Sequence, residues 1–244
     1  MLKLILKLIL KLILKEHNMS FDPKTPEIKK ICESLIGCKI NIGFTITLKS
    51  GENLSGEINN SNIVGDCMED ILYPFINKYI PTFEKGPKQL SPDFYNSKIW
   101  EWELKCFSNT PGFDISNFNS YISQLEDNLE KKMYRTQYLI FKYDLEDEII
   151  TITDFKLCNV WQIINYKGKY PISLQCKKSM WYNIRPCSFN DMNAVDKTPI
   201  MFIKKIVEAI DKTPNKMENK TRTINNIYNQ FYKLQFSRII QVFK

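Results

Sequence analysis

The chain has 244 residues, of which 43% are hydrophobic and 13% aromatic; this is enough for one sizeable core or two small ones and excludes a disordered protein. Its seven cysteines are widely spaced and include no C-x-x-C pair, which excludes a disulfide framework or zinc site and predicts free thiols in a reducing cytoplasm. The net charge of +7 is mild: four lysines and one glutamate in residues 1–16 supply +3, which leaves +4 for residues 17–244, a surplus compatible with an anionic partner.

The first 18 residues form a leader in which the unit Lys-Leu-Ile-Leu occurs three times between Lys3 and Leu14. The repeat fits a helix and a strand equally well. It is too short and too rich in lysine to span a bilayer, and no signal-peptide cleavage site follows it. A membrane-surface helix is one interpretation. We favour another, a translated DNA repeat upstream of a domain that starts at Met19, and expect residues 1–18 to lie outside the fold.

Helical and strand-like patterns alternate from Met19 onward. A first helix is predicted between Thr25 and the stop at Gly37, and a strand-like run follows it. Residues 62–80 have apolar side chains four positions apart, the pattern of an amphipathic helix, with a kink expected at Pro74. Further strands are predicted at 100–107, 137–145, 148–155, 171–176 and 180–185, and further helices over Ile115–Leu129, from Thr198 and over about 224–240. This order predicts an α/β or α+β fold with a mixed central sheet flanked by helices.

Two absences narrow the chemistry. The only histidine is His17, inside the leader, so serine–histidine and cysteine–histidine nucleophile pairs are excluded. No glycine-rich phosphate loop occurs, which excludes P-loop and Rossmann chemistry. An enzyme built on this chain would therefore use carboxylates, lysine and a hard metal ion bound through oxygen.

The segment "SPDFYNSKIWEWELKCF" (91–107) could supply that chemistry. Asp93 follows a proline, and Glu103 and Lys105 share one face of a strand by period-two alternation. Two carboxylates from neighbouring strands can hold Mg²⁺ while leaving it several waters, and a nearby lysine can orient such a water and neutralise charge on a phosphate. Glu69, on the polar stripe of the preceding helix, could add a third carboxylate.

A simpler interpretation is that Glu101, Glu103 and Lys105 form surface ion pairs on a solvated strand face. The apolar residues Trp102 and Leu104 argue against it, because they indicate a central strand rather than an edge. On a central strand the charged side chains would be partly buried and would need a reason to be there.

With Pro92-Asp93, Glu103-Leu104-Lys105 and a preceding helix that carries Glu69, the sequence resembles the PD-(D/E)XK nuclease superfamily. More specifically, it resembles type II restriction endonucleases of the NgoBV and NlaIV kind. The segments that carry the resemblance lie between residues 62 and 186, and they are NIVGDCMED, SPDF, WELKCF, FDISNF, YLIFKY, VWQI and WYNIRP.

This resemblance implies a restriction-endonuclease-like core that cleaves double-stranded DNA with Mg²⁺ at a short palindrome, GGNNCC for that group, as a homodimer. It maps metal binding to Asp93 and Glu103 and a catalytic role to Lys105. Glu69 matches a helix carboxylate of less defined role. A cognate DNA methyltransferase would be the functional partner in the cell, without a stable complex.

Four arginines are candidates for reading DNA bases, since arginine can bind the guanine O6 and N7 atoms together. Arg185, with Lys177 and Lys178 close by in sequence, is the preferred candidate; a phosphate contact or a surface ion pair is the alternative. Residues 197–244 carry ten lysines and arginines against three acidic residues, which suits a solvated face or contact with the phosphate backbone. The aromatic residues Trp161, Tyr166, Trp181 and Tyr182 are expected in the core.

We therefore expect a single endonuclease domain over 19–244, with a catalytic core at about 58–160 and a DNA-recognition and C-terminal helical part at about 161–244. The expected activity is that of a type II site-specific deoxyribonuclease. Two other functions stay open at this point: a repair or mobile-element nuclease on the same fold, and a DNA-binding protein without catalytic activity.

Overall fold

The computed structural model describes residues 22–41, 44–47, 49–51, 53–56, 61–87 and 90–242. The predicted leader, residues 1–18, lies outside these ranges. The helices are α1 (Thr25–Glu33), α2 (Ser61–Asn77), α3 (Phe118–Asp127), α4 (Val160–Ile163), α5 (Pro199–Lys212) and α6 (Lys220–Val242), with a π-helical turn at Lys131–Arg135. The strands are β1 (Lys39–Asn41), β2 (Phe44–Thr47), β3 (Asn53–Gly56), β4 (Phe83–Lys85), β5 (Phe94–Asn96), β6 (Trp100–Phe107), β7 (Ser116–Asn117), β8 (Thr136–Glu146), β9 (Ile149–Asn159), β10 (Leu174–Lys177) and β11 (Met180–Ile184).

A six-stranded sheet with the strand order β1-β9-β8-β6-β5-β4 forms the centre of the described structure. Strands β6 and β8 are parallel, and the other neighbouring pairs are antiparallel. The sheet is therefore mixed, which confirms the predicted fold class. It also confirms that β6 is an interior strand, with β8 on one side and β5 on the other. Two smaller sheets, β10-β11-β7 and β2-β3, complete the strand pairings of the described residues.

Both faces of this sheet are covered, as side chains of β8 show. Tyr138 and Ile140 lie in one apolar cluster, with α3, α4 and α5. The intervening Leu139 and Phe141 lie in the other, with α1 and α2. A strand buried on both faces must be apolar at nearly every position, which explains the continuous run of hydrophobic residues in the sequence of β8. The sheet thus separates two hydrophobic cores.

Helix α2 packs on the sheet through its apolar stripe, as the periodicity predicts. Val64, Leu72 and Ile76 are fully buried in the cluster that contains Trp102 of β6. The helix continues past Pro74 and ends at Asn77. Because the buried stripe faces the sheet, the opposite stripe is polar. Glu69, the sequence's candidate carboxylate on this helix, is only partly buried.

Helix α3 begins three residues later than the sequence predicts, so the prediction of a helix over Ile115–Leu129 was wrong at its start; the helix breaks at Asn128, and Leu129 itself is helical. The residues before Phe118 form β7, and Ile115 donates a backbone hydrogen bond to the carbonyl of Ile184 at 3.0 Å. The helix begins at Phe118 because the side chain of Asn117 caps it, accepting from the Ser120 amide at 3.2 Å. The apolar spacing in the sequence continues from β7 into α3. It therefore does not indicate the cap at Asn117, where the strand pairing ends and the helix begins.

Helix α5 begins as expected, with the Thr198 hydroxyl accepting from the Met201 amide at 3.2 Å and Pro199 in its first turn.

All seven cysteines are free. Among the described residues, every helix is too short or too polar to cross a membrane.

Candidate active site

Asp93 is the residue directly before β5, the strand that lies next to β6 in the central sheet. Strand β5 is antiparallel to β6, with Phe94 opposite Trp102. This register brings the Asp93 carboxylate to the backbone of β6, where its Oδ2 accepts a hydrogen bond from the Leu104 amide at 2.6 Å. A register shift of one residue would turn Asp93 to the other face of the sheet, so the register fixes which part of β6 Asp93 meets.

Glu103 and Lys105 occupy the same face of β6, as period-two alternation predicts. The Glu103 Oε2 and Lys105 Nζ atoms are 3.3 Å apart, and the two side chains are 9% and 20% exposed. The other Glu103 oxygen, Oε1, accepts a hydrogen bond from the Ser91 hydroxyl. The sequence-predicted trio of Asp93, Glu103 and Lys105 therefore meets in one partly buried site. The alternative of a solvated surface ion pair does not fit these exposures.

The carboxylates of the site repel each other. Burial and the nearby charge of Glu103 raise the pKa of Asp93 to about 6, against the opposing effects of Lys105 and the Leu104 amide. Burial, and then the charges of Asp93 and Asp66, raise the pKa of Glu69 to about 7. Glu69 is thus close enough to take part in the electrostatics of the site. The sequence's fourth candidate residue belongs to this neighbourhood.

Lys105 is a cation in contact with this group of carboxylates. Burial lowers the pKa of Lys105, but the charges of Glu103 and Asp93 outweigh that effect and raise it above the usual lysine value. The side chain is therefore an ammonium ion over the whole physiological pH range. As an ammonium ion it can donate hydrogen bonds.

The donor atoms of the site suit a hard divalent cation. Asp93 and Glu103 offer carboxylate oxygens, and the one ammonium of Lys105 acts on both carboxylates. Within the described residues no group of three or more His, Cys, Asp or Glu side chains is close enough to enclose an ion.

Glu101 has a different role from Glu103, which lies two positions further along β6. It is 1% exposed and forms ion pairs with Lys131 at 2.6 Å and Lys132 at 3.5 Å. It also accepts a hydrogen bond from the Thr136 hydroxyl at 3.0 Å. These partners belong to the π-helical turn and the start of β8, so Glu101 joins β6 to the preceding turn of its parallel neighbour. It is a structural carboxylate.

Sequence reasoning missed Ser91 and Asp22. The hydroxyl of Ser91 holds Glu103, as described above. Asp22 is buried and accepts hydrogen bonds from the Asn96 amide at 2.6 and 2.8 Å and from the Trp102 indole at 3.2 Å. Asp22 thus ties the start of the described chain to β5 and β6 beside the site. The position of Ser91 directly before Pro92-Asp93 is a signal that could have been noticed; nothing local to Asp22 indicates its contact.

The three candidate DNA-binding residues lie on and beside the β10–β11 hairpin. The Arg185 guanidinium forms an ion pair from Nε to the Asp114 carboxylate at 3.0 Å and donates from Nη1 to the Gly112 carbonyl. Lys177 Nζ lies 4.0 Å from the centre of the Tyr182 ring, and Lys178 is in the hairpin turn with a φ of 48°. Arg185 is therefore held in a fixed position, and the two lysines lie at the hairpin tip.

The aromatic expectation holds for three of its four residues. Trp161 and Trp181 are buried, and Tyr166 is partly buried against the same cluster. The prediction was wrong for Tyr182, which is 41% exposed. The reason is alternation on β11: Trp181 and Asn183 point inward, so Tyr182 between them points to solvent.

Comparison with solved structures defines the fold class. The chain superposes on the NlaIV restriction endonuclease with a TM-score of 0.68 and 24% sequence identity, covering 88% of this chain and 92% of that one. A restriction-endonuclease-like fold therefore carries the Asp93–Glu103–Lys105 site. In sequence, the chain is 31% identical over 164 residues to the type II restriction enzyme NlaIV of Neisseria lactamica, covering 64% of this chain and 67% of that protein. The family model described as NgoBV restriction endonuclease matches residues 39–241.

The chain belongs to the NgoBV restriction endonuclease family, and its relatives are type II restriction endonucleases, which are site-specific deoxyribonucleases. The match extends beyond residues 62–186, where the sequence motifs lie, into α6.

Proposed function

We propose that this protein cleaves double-stranded DNA at a short palindrome with Mg²⁺ bound by Asp93 and Glu103. The observation that supports it best is the meeting of these two carboxylates with Lys105 on an interior strand, where buried charge is costly without a functional or structural partner. Family membership implies a divalent metal. Mg²⁺ is our choice among such ions because all the donor atoms are carboxylate oxygens.

The protein's own groups prepare the site for a phosphodiester. The Leu104 amide fixes one oxygen of Asp93, so its other oxygen is free to face a metal. The Lys105 ammonium, paired with Glu103, lies where it can neutralise negative charge that builds on a phosphate and can donate a hydrogen bond to the attacking water. A bound Mg²⁺ would polarise the phosphate and make that water more acidic. Glu69, with its raised pKa, is proposed to act from α2 on the water network beside the ion.

The proposed target resembles GGNNCC, read by a homodimer whose two-fold symmetry matches the palindrome. Arg185 is the proposed base-reading residue and Lys177 and Lys178 the proposed phosphate contacts, since a planar guanidinium suits guanine and point charges suit phosphate. A cognate DNA methyltransferase in the same cytoplasm would protect the host's own sites. The single-domain organisation of residues 19–244 also remains a prediction.

Digestion of plasmid DNA of known sequence tests the proposal. The wild-type protein with Mg²⁺ should yield discrete fragments, and Asp93→Ala and Glu103→Ala should abolish them while DNA binding and folding persist. Glu84→Ala is the matched control, because Glu84 is an exposed carboxylate on the neighbouring strand β4.

Three results would contradict the proposal. Cleavage by either site variant at near-normal rates would remove these carboxylates from the chemistry. Cleavage confined to mismatched or branched DNA would indicate a repair or mobile-element nuclease, and binding of duplex without any nicking would indicate a non-catalytic DNA-binding protein.

A further inference from the structure

Gly86 lies at the end of β4, where the chain passes the segment that carries Asp93. The Gly86 amide donates a hydrogen bond to the Asp93 carbonyl at 2.7 Å. This bond extends the β4–β5 ladder by one step beyond the pairing of Lys85 with Phe94. Asp93 is therefore held from two sides. Gly86 binds its backbone, and the Leu104 amide of β6 binds its carboxylate.

The approach of Gly86 to this segment leaves no room for a side chain. A Cβ atom on Gly86 would lie 2.9 Å from the Pro92 carbonyl carbon and 3.1 Å from the Asp93 carbonyl carbon, and closer still to the Pro92 oxygen. Contacts below 3.0 Å require something to move. The atoms in the way are backbone, which cannot rotate aside as a flexible side chain would. Any residue other than glycine must push Pro92 and Asp93 away from β4.

The displaced segment also controls the second carboxylate. Ser91 precedes Pro92 and donates its hydroxyl hydrogen to Glu103. A shift of residues 91–93 would therefore disturb both proposed metal ligands at once: Asp93 through its own backbone, and Glu103 through the loss of the Ser91 hydrogen bond.

We propose that Gly86 is a positioning residue for the metal site, and that its close backbone contact, together with the Ser91 hydroxyl, sets the relative position of the Asp93 and Glu103 carboxylates. The inference rests on the proposed function, because it takes these carboxylates as metal ligands. Gly86 has no side chain that could hold a metal; it acts through residues 91–93. The geometric tolerance of a two-carboxylate Mg²⁺ site is small, so a displacement that the fold survives is enough to lose the ion.

The test is Mn²⁺ binding by Gly86→Ala, measured from the loss of the free-ion electron paramagnetic resonance signal as protein is added. We expect the dissociation constant for Mn²⁺ to rise at least tenfold and single-turnover cleavage to fall at least a hundredfold at fixed metal. Binding of duplex DNA in the absence of metal should stay within threefold. Raising the metal concentration should partly restore cleavage, which a merely structural loss would not allow.

Gly65→Ala and Gly168→Ala are the matched controls, because a Cβ at either position would meet nothing within 4 Å. Gly65 lies on α2 one turn before Glu69, so it tests a glycine near the site, and Gly168 tests a distant one. Both variants should bind Mn²⁺ and cleave DNA as the wild type does.

Ser91→Ala keeps the inference testable if Gly86→Ala does not fold. It removes one hydroxyl and no backbone contact, and it should raise the Mn²⁺ dissociation constant at least threefold. Mn²⁺ binding within twofold of wild type for folded Gly86→Ala, or for Ser91→Ala where Gly86→Ala is unfolded, would overturn the inference. A wild-type protein that binds no Mn²⁺ and cuts no DNA would overturn the proposed function itself, so the two failures are distinguishable.

Discussion

Individual residues of β6 show how position decides the role of a charge. Glu101 and Glu103 are both buried and lie two positions apart on the same face of the strand. Glu101 has two lysines and a threonine hydroxyl as partners, so its charge is compensated within the fold. Glu103 shares one lysine with Asp93, so part of the negative charge there is left for a ligand. The first carboxylate stabilises the structure, and the second is proposed to bind the metal.

Glu101→Gln should therefore destabilise the protein without removing its chemistry. It leaves Lys132 partly buried without its anion, a change that costs on the order of 3 kcal/mol when a buried pair loses one partner. Glu103→Gln should do the reverse, with little loss of stability and no cleavage. Denaturant unfolding combined with single-turnover cleavage separates the two variants. Equal loss of activity in both, at equal folded fractions, would contradict the distinction.

Lys105 is expected to be essential for turnover and dispensable for target binding. Lys105→Ala should reduce the single-turnover rate by several orders of magnitude, because it removes the ammonium next to the reacting phosphate. Lys105→Arg should restore little, since a planar fork does not replace a compact ammonium. Binding of the target should change little, because one charge among many phosphate contacts is a small share. A Lys105→Ala rate within tenfold of wild type would show that the lysine is not part of the chemistry.

The raised pKa of Asp93 predicts a site that destabilises the metal-free fold. Because the folded-state pKa is about 6 and the ordinary value is 3.8, the ionised carboxylate is disfavoured on folding; this cost is fully present above pH 6 and disappears below pH 4. Asp93→Asn should therefore raise the melting temperature in the presence of a chelator by roughly 2–4 °C at pH 8, and by progressively less as the pH falls from 6 to 4.

Added Mn²⁺ provides the control for that experiment. The metal should raise the melting temperature of the wild type and leave Asp93→Asn nearly unchanged. An Asp93→Asn protein that is less stable than wild type at pH 8 without metal would mean that Asp93 is a structural residue.

At the level of elements, the β10–β11 hairpin is a rigid arm. The Asn215 side chain accepts from the Trp181 amide at 2.8 Å and donates to the Trp181 carbonyl at 2.7 Å, which fixes β11 to the segment after α5. The turn residues Lys178 and Ser179 have φ values of 48° and 64°. Two positive φ values are typical of a two-residue hairpin turn whose twist matches that of the flanking strands. An arm held next to its tip and closed by a tight turn can present side chains to DNA with little loss of entropy on binding.

Arg185 tests whether this arm reads sequence. Arg185→Lys keeps the charge and loses the fork, so it should lower discrimination between the target and a single-base variant by about 1–3 kcal/mol while keeping affinity for random duplex. Asp114→Asn is the matched control, since it removes the ion pair that orients Arg185 without touching the guanidinium. Unchanged discrimination in Arg185→Lys would assign the arginine to phosphate contact or to structure.

How well the sequence predicts these elements depends on how far apart in the chain the contacting residues lie. Alternation along one strand was enough to place Glu103 and Lys105 together, and the apolar spacing was enough to find α2 with Glu69 on its polar side. The bond from Leu104 to Asp93 and the contact of Gly86 with Pro92 depend on the register between strands, which one strand's pattern does not contain. The start of α3 was missed because apolar spacing continues through β7.

At the scale of the whole molecule, the leader is the segment whose importance is easiest to test. Deletion of residues 1–18 should leave specific cleavage unchanged and improve solubility, because the repeat carries no proposed site residue and a sequence this rich in leucine invites association. The deletion has to end before Asp22, which accepts hydrogen bonds from Asn96 and Trp102. A shorter control deletion of residues 1–9 should behave in the same way. Loss of cleavage in a folded truncation of residues 1–18 would show that the leader belongs to the working protein.

The parallel pairing of β6 with β8 also determines when, during synthesis, the protein becomes able to cut. Glu101 lies opposite Thr136, so β6 has no partner on that side until the ribosome has added 35 further residues. Pairing across such a distance is slow to form. Chains truncated after Asn128 should therefore bind no Mn²⁺, although they contain every proposed metal ligand. If so, a nascent chain of that length is expected to leave the DNA of the cell that makes it uncut.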